Sequence, residues 1–277
     1  MRCLLPAVAL LAACPPPEPT EGELSVLTYN VQGLPDVLSE SDRPTADRMV
    51  DIAPRLDAFD LVGLQEDFDA DWHGLLVAEA THPHQEWFDD TVDDRIYGAG
   101  LTELARGSVV SYEEHPYDLC NGTLDDGSDC LASKGFQATI LDLGGATLAF
   151  LNTHHEAGGA EGDVVARESQ IAQVIAWIDA HPEHAVLFVG DTNLRPSDVE
   201  DVAGLALYEA AGLRDACVEI GCAEPDHIDR FYLRDSAALA LTVQDWEREV
   251  DFVGADGTDL SDHPALSAVV RWVADAP

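Results

Sequence analysis

Lysine is almost absent from this chain: Lys134 is the single one, and the remaining positive charge comes from scattered arginines. Against 53 acids the 14 bases leave a formal net charge of −39. Proteins hold nucleic acids mainly by neutralising phosphates with Lys and Arg, so this balance argues against a polynucleotide partner. It describes solubility and partners, and says nothing about fold. No apolar run approaches the roughly 20 residues that span a bilayer as a helix. No internal repeat is visible either. What is present is a hydrophobic fraction of 46%, ample for a packed core, in 277 residues that suit one large domain or at most two small ones.

The first fourteen residues read as a targeting segment. Arg2 is a minimal basic start, Leu4 to Leu11 form a short apolar stretch, and Leu11-Ala12-Ala13-Cys14 matches a bacterial lipobox whose thiol receives the lipid. Residues 15–23, PPPEPTEGE, cannot bury surface and read as an extended tether, leaving residues 24–277 as the domain. The expectation is an exported lipoprotein held to a membrane through Cys14, on the outer membrane or cell surface of a Gram-negative host. Export changes how the four remaining cysteines read. An even number in an oxidising compartment points to disulfides, and pairing Cys120 with Cys130 and Cys217 with Cys222 is the simplest of three connectivities. Zinc is the competing reading, but neither pair has ligand spacing with a nearby histidine pair.

From residue 24 onward, β-rich runs alternate with helical patterns. Residues 24–29, 61–65, 138–143, 147–153, 185–189 and 228–233 predict strands, and residues 46–56, 164–180 and 198–211 predict helices with apolar positions three and four apart. Gly144-Gly145 marks the turn of a hairpin over residues 138–154. Hairpins mixed with crossovers imply a layered α/β domain with antiparallel content.

Polar residues that interrupt the hydrophobic runs fall at predicted strand ends, where loops gather and sites are built. Asn30 follows the first strand, Glu66 the second, His154 the return strand of the hairpin, and Asp191 and Asn193 the next. Asp229 opens a later strand, while Asp262 and His263 precede the last. Glu66, Asp191, Asp262, Asn30 and Asn193 offer hard oxygens that suit Mg²⁺ or Mn²⁺ rather than zinc. His154 and His263 offer a proton acceptor and a donor to phosphate oxygen near neutral pH. Asp191 and Asn193 are two apart, so an extended segment presents both to one side, whereas His155 should point away from His154. The other histidines, among them His73 and His227, read as structural.

In this order, Asn30, the Glu66 of LQE, the His154 of NTH, the GDTN tetrad and a terminal SDH resemble the endonuclease/exonuclease/phosphatase superfamily. The resemblance runs from about residue 24 to about 271. It implies a four-layer sandwich, two mixed β-sheets flanked by helices, and a metal-dependent phosphoester hydrolase. Carried over, Glu66 is the principal metal ligand with Asn30 beside it and Asp262 near the metal. Asp191 and Asn193 orient the attacking water or hold a second metal. His263 is the general base, oriented by Asp229, and His154 donates to a phosphate oxygen.

One further fragment narrows the branch. DCLASKGFQ resembles the segment before the hairpin in neutral sphingomyelinases, where an Asp and a Lys at this spacing grip substrate, here Asp129 and Lys134. The implied substrate is a phospholipid or other phosphodiester, cleaved in the manner of a phospholipase C by a monomer. One departure stands out: residues 235–260 hold only Trp246 and Phe252 among many acids, where secreted bacterial sphingomyelinases carry an aromatic-tipped membrane hairpin. A phosphatase or nuclease on the same scaffold is the rival enzyme, and a non-catalytic lipid-anchored binding protein is the rival of another class.

Overall fold

The computed structural model describes residues 20–274 apart from 38, 40, 93–94 and 123–128. Cys14 and most of the tether lie outside the described residues.

The described residues open with β1 (Thr20–Asn30), four residues earlier than its apolar run indicates. Thr20 to Glu23, assigned above to the tether, instead pair with residues 271–274 of the final strand, because ladder hydrogen bonds hold a polar strand end that buries little. Helix α1 (Thr45–Leu56) turns Met49, Ile52, Ala53 and Leu56 inward, and β2 (Leu61–Gln65) then runs parallel to β1 and buried throughout. The short α2 (Ala70–Leu76) is capped by the Asp69 side chain, which accepts from the backbone N–H of Asp71 and Trp72. Three strands follow: β3 (His84–Phe88), β4 (Leu101–Ala105) and the largely exposed β5 (Ser108–Pro116). The hairpin β6 (Gly135–Leu143) and β7 (Ala146–His154) closes over Gly144 and Gly145, whose φ values of 68° and 93° require glycine.

Helix α3 (Glu161–Ala180) is the crossover to β8 (His184–Asp191), which lies parallel to β7. After α4 (Val202–Ala210), the two-residue β9 (Arg214–Asp215) and α5 (Ala216–Ile220) come three long strands. These are β10 (Asp229–Arg234), β11 (Leu239–Arg248) and β12 (Leu266–Ala274).

The strands form two six-stranded mixed sheets, ordered β11-β12-β1-β2-β4-β3 and β5-β6-β7-β8-β10-β9. Their inner faces pack together through Leu24, Val26, Phe150, Leu187, Phe231 and Leu241. Helices α1 and α2 cover one outer face, and α3 and α4 the other. This is the four-layer sandwich implied above. Among the described residues no helix is long and apolar enough to cross a membrane. Both expected disulfides are present, Cys120–Cys130 and Cys217–Cys222. Residues 239–248 form β11 rather than a projecting hairpin, Phe252 is buried edge-on against Tyr29, and Trp246 lies against the His227 ring.

Candidate active site

Strand direction does most of the assembly. The C-terminal ends of β1, β2, β7 and β8 and the N-terminal ends of β10 and β12 all fall at one end of the sandwich, with Asn30 opposite Gln65, His154 opposite Asp191 and Asp229 opposite Asp191 in register. Six fragments far apart in sequence therefore deliver their polar residues to one place. Gly190 lets β7 and β8 approach there, since its φ is 139° and a Cβ would lie 2.1 Å from the Thr153 carbonyl oxygen.

Asp191 is the centre. Its Oδ2 accepts from Asn30 Nδ2 at 3.1 Å and lies 3.5 Å from His154 Nε2 and 3.7 Å from His263 Nε2. Its Oδ1 accepts from the Asn193 backbone N–H at 3.0 Å. Asp191 and Asn193 thus share the site, though through a left-handed turn at Asn193 (φ 49°) instead of an extended segment. The Asn193 side chain donates to the His155 carbonyl at 3.0 Å.

Asn30 Nδ2 also donates to Glu66 Oε1 at 2.9 Å, so one neutral amide joins two acids. Its Oδ1 is occupied, accepting from the Gln32 N–H at 3.0 Å, which points the amide nitrogen into the site. Asn30 therefore bridges the two carboxylates and stands beside Glu66, where the resemblance placed it. Burial raises the Glu66 pKa, only partly offset by the Asn30 hydrogen bond.

His263 Nδ1 contacts both Asp229 oxygens, at 2.9 and 3.1 Å, leaving Nε2 directed toward Asp191. Burial alone would lower the His263 pKa, but the Asp229 and Asp191 charges override it and raise it to about 10. Asp229 is itself pushed up to about 6 by burial, against the pull of His263. The His154 pKa falls well below its ordinary value through burial and then the nearby Lys134 charge, so its ring is neutral. Lys134 is buried; its ammonium donates to the His155 carbonyl at 2.7 Å and lies 3.3 Å from His154 Nε2. His155 points away, as alternation requires, with its ring among Tyr117, Phe188 and Tyr208.

One expected residue stands outside this hydrogen-bonded set. Asp262 is exposed, and its carboxylate accepts from Ser261 Oγ at 3.2 Å. The chain bends through residues 261–263, leaving Asp262 exposed beside half-buried His263, while Asp229 joins Asp191 and His263 in the acid cluster. The Asp129 side chain lies outside the described residues.

Sequence reasoning missed the groups that hold the site from behind. Arg48, fully buried on α1, donates to the carbonyls of Val31, Gln32 and Leu260 at 2.8–3.0 Å. It fastens the loop after Asn30 to the loop before His263, and Ser261 Oγ adds a 2.7 Å bond to the Asn30 carbonyl. Between the sheets, Gln65 Nε2 donates to Asn152 Oδ1 at 2.7 Å, fixing β2 against β7 one residue before Glu66 and two before His154. Among the described residues the non-glycine positions with positive φ are Gln32, Glu66 and Asn193, each hydrogen-bonded to Asn30 or Asp191, so backbone strain is concentrated at the site.

An oxygen-rich cation site fits these residues. Oxygens of Asp191 and Asp229 and a nitrogen of His263 lie within 4.8 Å of one another. Glu66 and Asp191 both accept from the Asn30 amide, which sets a further hard carboxylate oxygen beside that cluster, the donor type a divalent ion such as Mg²⁺ takes.

The chain is similar to several known proteins. A sphingomyelinase of Mycobacterium tuberculosis (strain ATCC 25618 / H37Rv) is 28% identical over 281 residues, covering 94% of this chain and 55% of that protein. The chain therefore spans about half the length of the curated relatives it matches. Sphingomyelinase C from Streptomyces griseocarneus superposes with a TM-score of 0.65 at 20% identity, covering 90% of this chain and 99% of that one. A Staphylococcus aureus beta toxin mutant with bound magnesium ions gives a TM-score of 0.66 at 16% identity, covering 89% and 99%. D. rerio TDP2 complexed with a single-strand DNA product gives 0.67 at 19% identity, covering 90% and 98%. The family model described as Endonuclease/Exonuclease/phosphatase family matches residues 27–263, and the chain belongs to that family.

Proposed function

We propose that this protein is a metal-dependent phosphodiester hydrolase that cleaves a phospholipid head group in the manner of a sphingomyelinase. The observation that carries the reading is the convergence on one Asp191 oxygen of Asn30, His154 and His263, with Lys134 behind His154. Two ring nitrogens and an ammonium face the place where a phosphate must sit, and positioned donors stabilise charge that develops on its oxygens. Glu66, Asp191 and Asp229 would hold the cation, Mg²⁺ or Mn²⁺. When bound, such an ion polarises the phosphoryl oxygen and offsets the carboxylates that keep His263 protonated.

Asp191 and Asn193 orient the attacking water, and His263 Nε2 accepts its proton while Asp229 fixes the ring. Neutral His154 donates its N–H to a phosphate oxygen, and Lys134 supplies a fixed charge beside it. Export and lipidation at Cys14, with display on the outer membrane or cell surface, complete the proposal and rest on the Leu11-Ala12-Ala13-Cys14 run.

The test is a hydrolysis panel of sphingomyelin, a phosphoinositide and plasmid DNA, with Mg²⁺ and with EDTA. Sphingomyelin should be cleaved to phosphocholine, EDTA should abolish it, and Glu66→Gln should weaken metal binding and turnover together. Cleavage of DNA alone would assign the scaffold to a nuclease; full activity in EDTA would sink the mechanism.

A further inference from the structure

The two ends of the sandwich differ in surface chemistry. Connections at the site end carry six protruding aliphatic side chains, Val37, Val92, Ile96, Leu119, Val199 and Val250, between 41% and 90% exposed. They come from five loops, those after β1, β3, β5, β8 and β11, which the strand registers gather around the site. The connections at the opposite end, residues 57–60, 77–83, 106–107, 144–145, 181–183, 211–213 and 235–238, bear no exposed large hydrophobic side chain among the described residues. A single exposed valine is ordinary. A ring of them on separate loops around one opening is a different pattern.

We propose that this loop pole is a docking surface for a zwitterionic lipid layer, with the six side chains entering the headgroup boundary around the site. The inference rests on the phospholipid reading above and identifies how such a substrate is reached. Asp191 and His263 sit at strand ends on this pole, the side from which a bilayer phosphodiester would approach. Charge selects the kind of surface. Asp36, Asp118, Asp198 and Asp251 each adjoin one of the six in sequence. Nearby arginines are engaged: Arg43 by Asp51, Arg95 by the Cys130 carbonyl, and Arg195 by Asp226. An anionic membrane or a polynucleotide would be repelled. A protein partner needs a contiguous apolar centre, which acids between the prongs interrupt. A lipid boundary accepts each apolar side chain separately. Phe252 and Trp246, packed inward, leave the aliphatic ring as the insertion device.

The experiment uses the full chain carrying Cys14→Ser, so that no anchor contributes. Its triple variant Val37→Asp, Ile96→Asp, Val199→Asp is compared with a second triple variant at exposed aliphatics off the pole, Val50→Asp, Val110→Asp and Leu207→Asp. Co-sedimentation with phosphatidylcholine–sphingomyelin vesicles measures docking. Hydrolysis of vesicle sphingomyelin and of water-soluble bis(p-nitrophenyl) phosphate measures turnover. Each buried aliphatic contributes about tenfold to partitioning, so the pole variant should lose roughly 10²–10³-fold in vesicle binding. Its vesicle turnover should fall in parallel while soluble-diester turnover stays intact, and the second variant should match the parent. Unchanged vesicle binding by the pole variant, or tighter binding to phosphatidylserine vesicles, would overturn the proposal. Equal losses on both substrates would place the effect in the site and overturn it as well. A parent chain that docks through the ring yet leaves sphingomyelin intact would uphold docking and overturn the head-group reading.

Discussion

Replacing Asp229 by Asn removes the charge that orients His263 while keeping the side chain's shape. In the native site His263 titrates near 10, against about 6.5 for an unfolded histidine. A raised pKa stabilises the fold fully below the unfolded value, and that contribution is lost as pH rises through the folded value. Asp229, at about 6, is also raised, but its contribution is already gone above pH 7, so the window from pH 7.5 to 9.5 isolates the histidine. Across that window the linkage relation gives a fall of about 2.5 kcal/mol in unfolding free energy for the parent. With Asn at 229, only the carboxylates of Asp191 and Asp262 remain to hold the imidazolium, and the fall should shrink below about 1 kcal/mol. Urea denaturation in EDTA at the two pH values, parent against variant, measures this double difference, in which all other groups cancel. Turnover with Mg²⁺ should drop about 10³–10⁴-fold, because the ring loses the partner that sets its tautomer. An unchanged pH slope in the variant would refute the ion pair as the source of the shift. An unchanged slope with normal turnover would remove the dyad from the mechanism.

Other outcomes follow from the same geometry. Arg48→Met leaves three buried carbonyls without their donor and should cost about 3 kcal/mol or more in urea denaturation, with Arg48→Lys recovering part; a loss under about 1 kcal/mol would contradict the staple. His155→Ala should destabilise by roughly 2–4 kcal/mol through lost packing against Tyr117 and Tyr208, yet keep turnover within about threefold. Lys134→Ala should lower hydrolysis of a choline phosphodiester about 10²-fold or more while Mg²⁺ affinity, read by titration calorimetry, changes little. If instead metal affinity collapses with the substitution, Lys134 supports the cation site rather than the phosphate.

Most of the sandwich was readable where hydrophobic period and turn chemistry coincide. The hairpin at Gly144-Gly145, the buried run of β8 and the apolar face of α1 all appear within a few residues of their predicted bounds. Strands β3, β4 and β5 escaped notice because their sequences lack a clean pattern. LTELA buries Glu103 in its middle, and SVVSYEEHP is an edge strand carrying acids on exposed positions. The site residues were legible because each breaks a hydrophobic run at a strand end. Their supports were not, since Arg48 looks like any solvated helix arginine. Only its spacing, four before Ile52 and eight before Leu56 on the buried face, carries the signal. The left-handed backbone at Gln32 and Glu66 has no sequence mark at all, because neither residue favours it and tertiary contacts impose it.

The direction of β1 bears on which membrane such an enzyme could serve. Its eleven residues run from Thr20, beside the Gly144 turn, to Asn30 in the site, a span of about 36 Å. A chain lipidated at Cys14 has six residues with which to reach Thr20, no more than about 20 Å when fully stretched. Inverting the domain to bring Asp191 and His263 down onto the anchoring leaflet would require Thr20 to stand farther from that leaflet than the tether can reach. With lipidation at Cys14 as proposed, the anchor and the catalytic mouth would belong to opposite poles. Such an enzyme would be held facing outward, sparing the lipids of the cell that makes it and meeting its substrate on a second, apposed membrane.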